Sequence, residues 1–379
     1  MASRIYLDNN ATSFLDPRIK ETLLSSLQNI QGNPSSLHSF GQDAKKALAK
    51  ARKSVADSLQ ASPSEILFHS GGTEGLNTLI QGFIDLYPGA HIITSSVEHS
   101  AVYAPLKRKE MQGTNISFLN PGLYGAITPD SIEKAITPST KLIVLMAVNN
   151  ETGVKTDIEA LAEIAKKNKI HFIVDGVALM GKEKFSLPAG VSAMCFSGHK
   201  FHALKGSGFT FIRKTLKIPP FILGGEQEHG KRGGTENLLG ILSIAEAIKL
   251  LDSELPNAAL KMTSLRDKLE HSLLLMPGVK INGLGPRVTN TSNLSFEGVE
   301  GETLLVRLDL AGIAVSHGSA CSSGAIEPSR VLLNMGISKK MAATSIRISL
   351  SRFTTVEEID QTIETIQKIV PTLRKGYFK

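Results

Sequence analysis

Asp175 closes the apolar run IHFIVD, and Lys200 stands in FSGHK at the end of another apolar run. A carboxylate and an amine at the floor of one crevice are what pyridoxal phosphate needs: the first keeps the pyridine nitrogen protonated, the second forms a Schiff base. The same pair also suits a buried ion pair. Between a strand pattern and the helical pattern EGLNTLIQGF lies Ser70-Gly71-Gly72-Thr73. Free backbone N–H groups, a hydroxyl and the positive end of a helix dipole at that place suit a phosphate. A plain turn with a threonine cap has the same residues, and the loop lacks the spacing and the lysine of a nucleoside triphosphate site. His99 follows a further apolar run, and an imidazole can both stack on a pyridine ring and move protons near neutral pH. The loop and His99 together favour the cofactor over the ion pair. The cysteines number 2. Cys321, in the small and polar segment HGSACSSGAIEPS, is a candidate exposed nucleophile, whereas Cys195, in the apolar run AMCFSG, reads as an inert core residue.

The elements that must position these groups are legible from about residue 60 to 215. There short apolar runs (EILFHS, HIITSS, KLIVLMAV, HFIVDG, AMCFSG, GFTFIR) alternate with helical patterns, which predicts an α/β fold with a mostly parallel sheet covered by helices. Five of these runs end in Ser70–Glu74, Val97–His99, Asn149–Glu151, Asp175–Gly176 and Ser197–Lys200. Ligands bind at the carboxyl ends of strands in such sheets, so these loops are expected to line one crevice. Beyond residue 235 come two helical stretches with an expected break at Glu254-Leu255-Pro256-Asn257. Shorter strands (VKING, TSNLSFE, IAVSHG, IRISLS) and an amphipathic helix through VEEIDQTIETIQKIV follow, as in a smaller α+β domain. The division expected is therefore a large domain over 15–256 and a small one over 257–379, joined by a segment 1–14.

Composition narrows the function classes. With 379 residues, 41% hydrophobic and 20% charged, the chain can bury a substantial core. Two cysteines exclude a disulfide framework or an all-cysteine metal site within one chain and fit a reducing cytoplasm. The formal charge of +7 is spread over helical faces such as Lys45, Lys46, Lys50, Arg52 and Lys53 without interleaved aromatics, which argues against a nucleic-acid stripe. MASRIYLDNN has no apolar signal core and no run is long enough to span a bilayer, so no membrane partner is expected.

Motifs in order along the chain sharpen this reading. They are YLDNNAT (6–12), GNPSSLHSFG (32–41), SGGTE (70–74), SSVEHSA (95–101), VNNETG (148–153), VDG (174–176), SGHK (197–200), RGGTEN (232–237), GSACSSG (318–324) and SIRISLSRFTT (345–355). With them the sequence resembles the NifS/IscS-type cysteine desulfurases, within the fold type I, aspartate-aminotransferase-like pyridoxal-phosphate enzymes, nearly end to end. The resemblance implies that Lys200 carries the Schiff base, Asp175 pairs with the pyridinium and His99 stacks on the ring. It implies that Gly72, Thr73, Ser197 and His199 hold the phosphate, with Thr235 reaching the phosphate of the second subunit of a homodimer. It further implies that Asn150 lies at the cofactor and, with Arg347, binds the substrate carboxylate. On the same resemblance Cys321 is expected to take the sulfur of L-cysteine as a persulfide as alanine leaves, with His99 and Lys200 as proton carriers. The sulfur is then expected to pass to an acceptor or a cluster-scaffold protein for iron–sulfur assembly or another sulfur-requiring pathway.

The chain departs from that pattern in four places. A glutamine usually stands where Ala178 is found, a Gly-Pro where Ala203-Leu204 is found, and a proline where Phe14 is found. The short tail LRKGYFK carries no long docking extension by which an acceptor could be inferred. Two alternatives to a desulfurase are a selenocysteine lyase or other pyridoxal-phosphate lyase or aminotransferase, and a non-catalytic scaffold relative.

Overall fold

The computed structural model describes residues 4–317 and 328–377. After a short first strand, β1 (Ile5–Tyr6), come β2 (Ile66–His69), β3 (His91–Ser95), β4 (Ile116–Leu119), β5 (Thr140–Met146), β6 (His171–Asp175), β7 (Ala193–Ser197) and β8 (Gly208–Ile212). The last seven form one sheet in the order β2-β8-β7-β6-β5-β3-β4. Six of them are the expected apolar runs. The addition, β4, is a half-buried edge strand, too polar in NISFL to stand out as a buried one. Strand β8 is antiparallel to both β2 and β7, and the other pairings are parallel. Two reversals restore direction, so β2, β3, β5, β6 and β7 all end at the same edge of the sheet.

The apolar runs are continuous because both faces of the sheet are covered. Alternate residues of a strand point to opposite faces. Phe172, Val174, Met194 and Phe196 accordingly pack into one core cluster, and Ile173, Ala193 and Cys195 into another. Cys195 is 0% exposed, and burial pushes its thiol well above the usual range, which suppresses the thiolate.

A second sheet runs β12-β10-β9, from β9 (Val279–Ile281), β10 (Thr291–Phe296) and β12 (Ser345–Ser349), all antiparallel. The short strand β11 (Ile313–Ala314) pairs in parallel with β1, so the amino-terminal segment is built into this part of the molecule. Ile5 and Leu7 share a core with Leu269, Ile346 and Ile366.

The expected break near Pro256 does not occur: a single helix runs from Leu238 to Leu274 with Pro256 inside it. A helix-interior proline removes one hydrogen bond and crowds the preceding turn. Packing on both sides offsets that cost here. Ile241, Ile244, Ala247, Ile248 and Leu251 are embedded in the core of the large sheet, and Met262, Leu265, Leu269 and Leu273 in that of the small one. The change of core falls close to the proline although the helix does not stop there.

Candidate active site

All five loops meet in one cavity of about 290 Å³. Of the expected site residues, Gly72, Thr73, His99, Asn150, Asp175, Ser197, His199, Lys200 and Arg347 line it. Thr235 does not; it is exposed at the surface. Cys321 lies outside the described residues.

Gly72 opens the helix Gly72–Leu86, and its N-cap, Gly71, has no side-chain cap hydrogen bond. Gly71 adopts φ +157° and ψ 174°, a region that glycine alone enters readily. A Cβ on Gly72 would meet Val177 Cγ2 at 2.8 Å. The two glycines therefore let the helix terminus approach β6 and β7 closely, with Ser197 Oγ within 3.6 Å of the ideal Cβ position of Gly71. Uncapped N–H groups beside a hydroxyl form a cradle for a phosphate. His199 completes that side; burial, followed by the charges of Lys200 and Lys205, lowers it to about 4, so it is a neutral imidazole, with Nδ1 3.1 Å from Thr12 Oγ1.

Asp175 ends β6 fully inside the protein, and its Oδ1 accepts the Val177 N–H at 3.0 Å. Burial raises its pKa, against the attraction of His99 and Lys200. A buried carboxylate in that condition fits a cationic pyridine N–H. His99 caps the helix Ser100–Met111: its Nδ1 accepts the Ala101 N–H at 3.1 Å. Burial lowers its pKa, so the neutral ring prevails and its proton sits on Nε2. Lys200 ends the short turn after β7, and its Nζ donates to the carbonyls of Asn10 (2.6 Å) and Ala11 (2.8 Å). The motif YLDNNAT thus wraps the lysine.

Arg347 comes from the middle of β12 in the small sheet and is 2% exposed. It pairs with Asp8 at 2.7 Å and donates to the Asn150 carbonyl at 3.0 Å, while its Nε is buried with no hydrogen-bond partner among the described residues. An unmatched guanidinium donor at the cavity wall fits a carboxylate.

Several lining residues were not among the sequence candidates. Asn10 Nδ2 donates to the Asn150 carbonyl and to Thr291 Oγ1, joining the amino-terminal segment to both sheets. Glu98 is buried, accepts a 2.5 Å hydrogen bond from Ser95 Oγ, and is pushed by burial up to about 8. Arg330 donates to the carbonyls of Ser96 and Glu98 and lies over the Tyr103 ring at 3.9 Å. Glu98 was visible as a charge in the short loop after an apolar strand; Arg330 had no local signal, since only the tertiary fold brings it to this edge. Of the departures, Ala178 lines the cavity, Ala203 is buried beside the lysine turn, and Phe14 is exposed against Tyr6. These residues together fit a phosphorylated pyridine held by a lysine.

Fold and site define a class: an α/β protein with a lysine and a buried arginine lining one cavity at the strand ends of its sheet. The chain belongs to the family Aminotransferase class-V, a pyridoxal-phosphate-dependent family, which it matches over residues 5–362. It is 42% identical over 376 residues to a cysteine desulfurase of Nostoc sp., covering 98% of this chain and 94% of that protein. Among solved structures, a NifS-like protein superposes with a TM-score of 0.91 at 37% identity, covering 97% of this chain and 100% of the other. SspA, solved in complex with cysteine, superposes with a TM-score of 0.82 at 30% identity, covering 93% and 100%.

Proposed function

We infer that this protein is a cysteine desulfurase that takes sulfur from L-cysteine, releases alanine and holds the sulfur as a persulfide on Cys321. The observation that carries this reading is the convergence of Lys200, Asp175, His99 and Arg347 on one cavity, in a chain with full-length desulfurase relatives. Pyridoxal phosphate, when bound, supplies an electron-withdrawing ring that acidifies the substrate Cα–H and weakens the Cβ–S bond.

The residues of the chain do the rest. Lys200 holds the cofactor through its amine and moves the Cα proton once freed. Asp175 holds the pyridine nitrogen, and His99 covers the ring and offers its Nε2 proton. Gly72, Thr73, Ser197 and His199 hold the phosphate, and Arg347 with Asn150 takes the substrate carboxylate. The Cys321 thiolate attacks the substrate sulfur: an S–S bond forms as the C–S bond breaks, the electron pair returns to carbon, and protonation there completes alanine. We place the enzyme in the cytoplasm as a homodimer in which Thr235 reaches the second subunit's phosphate, with a sulfur acceptor downstream. Among the described residues no helix is long and apolar enough to cross a membrane.

The test is Cys321→Ser, with alanine, sulfide and protein-bound sulfur measured on cysteine and on selenocysteine. Loss of all three products with cysteine is expected. Undiminished turnover of cysteine would overturn the assignment of Cys321, and turnover of selenocysteine alone by the unaltered protein would favour a selenocysteine lyase.

A further inference from the structure

A second lysine lies beneath the first. Lys182 follows β6, is 2% exposed, and lines the same cavity as Lys200. Its Nζ donates to the backbone carbonyl of Lys200 at 2.9 Å, within the turn Gly198–Lys200. Its own carbonyl accepts from Thr289 Oγ1 at 2.8 Å, which holds it from the side of the small sheet.

Burying an amine is costly unless something compensates. The charges acting on Lys182 are both positive: Lys200 on the neighbouring strand end and Arg352 just beyond β12. His202, after the lysine turn, also feels Lys182. Burial, then these charges, lower Lys182 to about 7. On its cavity side Lys200 faces Asp175, His99 and His199. A glutamine at 182 would supply the same hydrogen bond to the Lys200 carbonyl without the cost of burying an amine. What lysine adds is a positive charge close to another amine, an arrangement that favours the neutral, nucleophilic form of its neighbour.

We propose that Lys182 is a positioning residue for Lys200: through the carbonyl it sets the turn that carries Lys200, and through its charge it opposes protonation of the Lys200 nitrogen. The proposal rests on the reading of Lys200 as the cofactor-bearing lysine. Charge on either amine disfavours charge on the other.

The test is a titration of the visible absorption of the protein with pyridoxal phosphate, from about pH 6 to 10, for the unaltered chain and for Lys182→Gln, Lys182→Met and Lys182→Arg, with a thermal melt of each. Glutamine keeps the donor without the charge, and arginine keeps both. The midpoint is expected to rise by about one pH unit in the glutamine and methionine variants and to return close to the original with arginine. Equal midpoints in all forms would overturn the proposal, whatever the melts show. Absence of a visible band in the unaltered chain would instead overturn the assignment of Lys200. If the methionine variant does not fold, glutamine against arginine carries the comparison.

Discussion

Arg347 illustrates how much of a residue's role depends on its partners. Its type suggested a carboxylate ligand, and the structure adds that it is already held by Asp8 and the Asn150 carbonyl with Nε left over. A lysine there would keep the charge but lose the planar fork that can serve Asp8, Asn150 and a substrate together. Arg347→Lys is expected to raise KM for cysteine about 10- to 100-fold, the equivalent of a charged hydrogen bond worth about 1.5–3 kcal/mol. Steady-state kinetics checks this; a kcat loss with unchanged KM would place Arg347 in the chemistry instead of in binding. Asp175 was legible because it closes an apolar strand, and Lys200 and His99 because they stand in the short polar loops that follow apolar strands, where such sheets bind ligands. Lys182 and Arg330 were not, because a charge beyond a strand or in a short helix ordinarily faces water.

At the scale of elements, the Gly72–Leu86 helix depends on the turn before it. Gly71 holds a conformation that costs a residue with a side chain about 1–3 kcal/mol. Gly71→Ala is expected to shift the helix terminus away from Ser197 and to weaken pyridoxal phosphate binding about tenfold. Cofactor titration by absorbance is the measurement, and unchanged affinity would remove the helix terminus from the phosphate site. The helix through Pro256 shows the opposite lesson. Local chemistry argued for a stop there, yet burial of both halves in two cores outweighs one missing hydrogen bond.

Across the whole molecule, a charge network centred on buried Asp16 and Arg352 ties distant parts of the chain. Asp16 pairs with Arg18 and with Arg352, and both arginines reach Glu254 on the long helix. Burial opposes ionisation of Asp16, but its hydrogen bonds to Arg18 and Arg352 win and hold the carboxyl well below its ordinary value of 3.8. The stability it contributes is present above that value and is lost as pH falls through the lower folded-state value. Asp16→Ala leaves Arg352, already short of hydrogen-bond partners at Nε and Nη1 among the described residues, buried with only the partly exposed Glu254, 3.7 Å from its Nε, as countercharge. Destabilisation of about 3–5 kcal/mol is expected. Denaturant unfolding measures it, and a loss under about 1 kcal/mol would mean that the pairs behave as exposed ones.

The sequence by itself determined the sheet, its two buried faces and the polar strand ends, because strand periodicity and the contrast between apolar runs and their closing residues are local properties of the chain. It also marked Cys195 as a core residue by its apolar surroundings. Only the tertiary structure decided which residues from elsewhere complete the cavity, Asn10 from the amino-terminal segment and Lys182 under Lys200, and that Asp8 holds Arg347. Those contacts join residues far apart in the chain, and their energies come from desolvation and charge at close quarters, which no local pattern encodes.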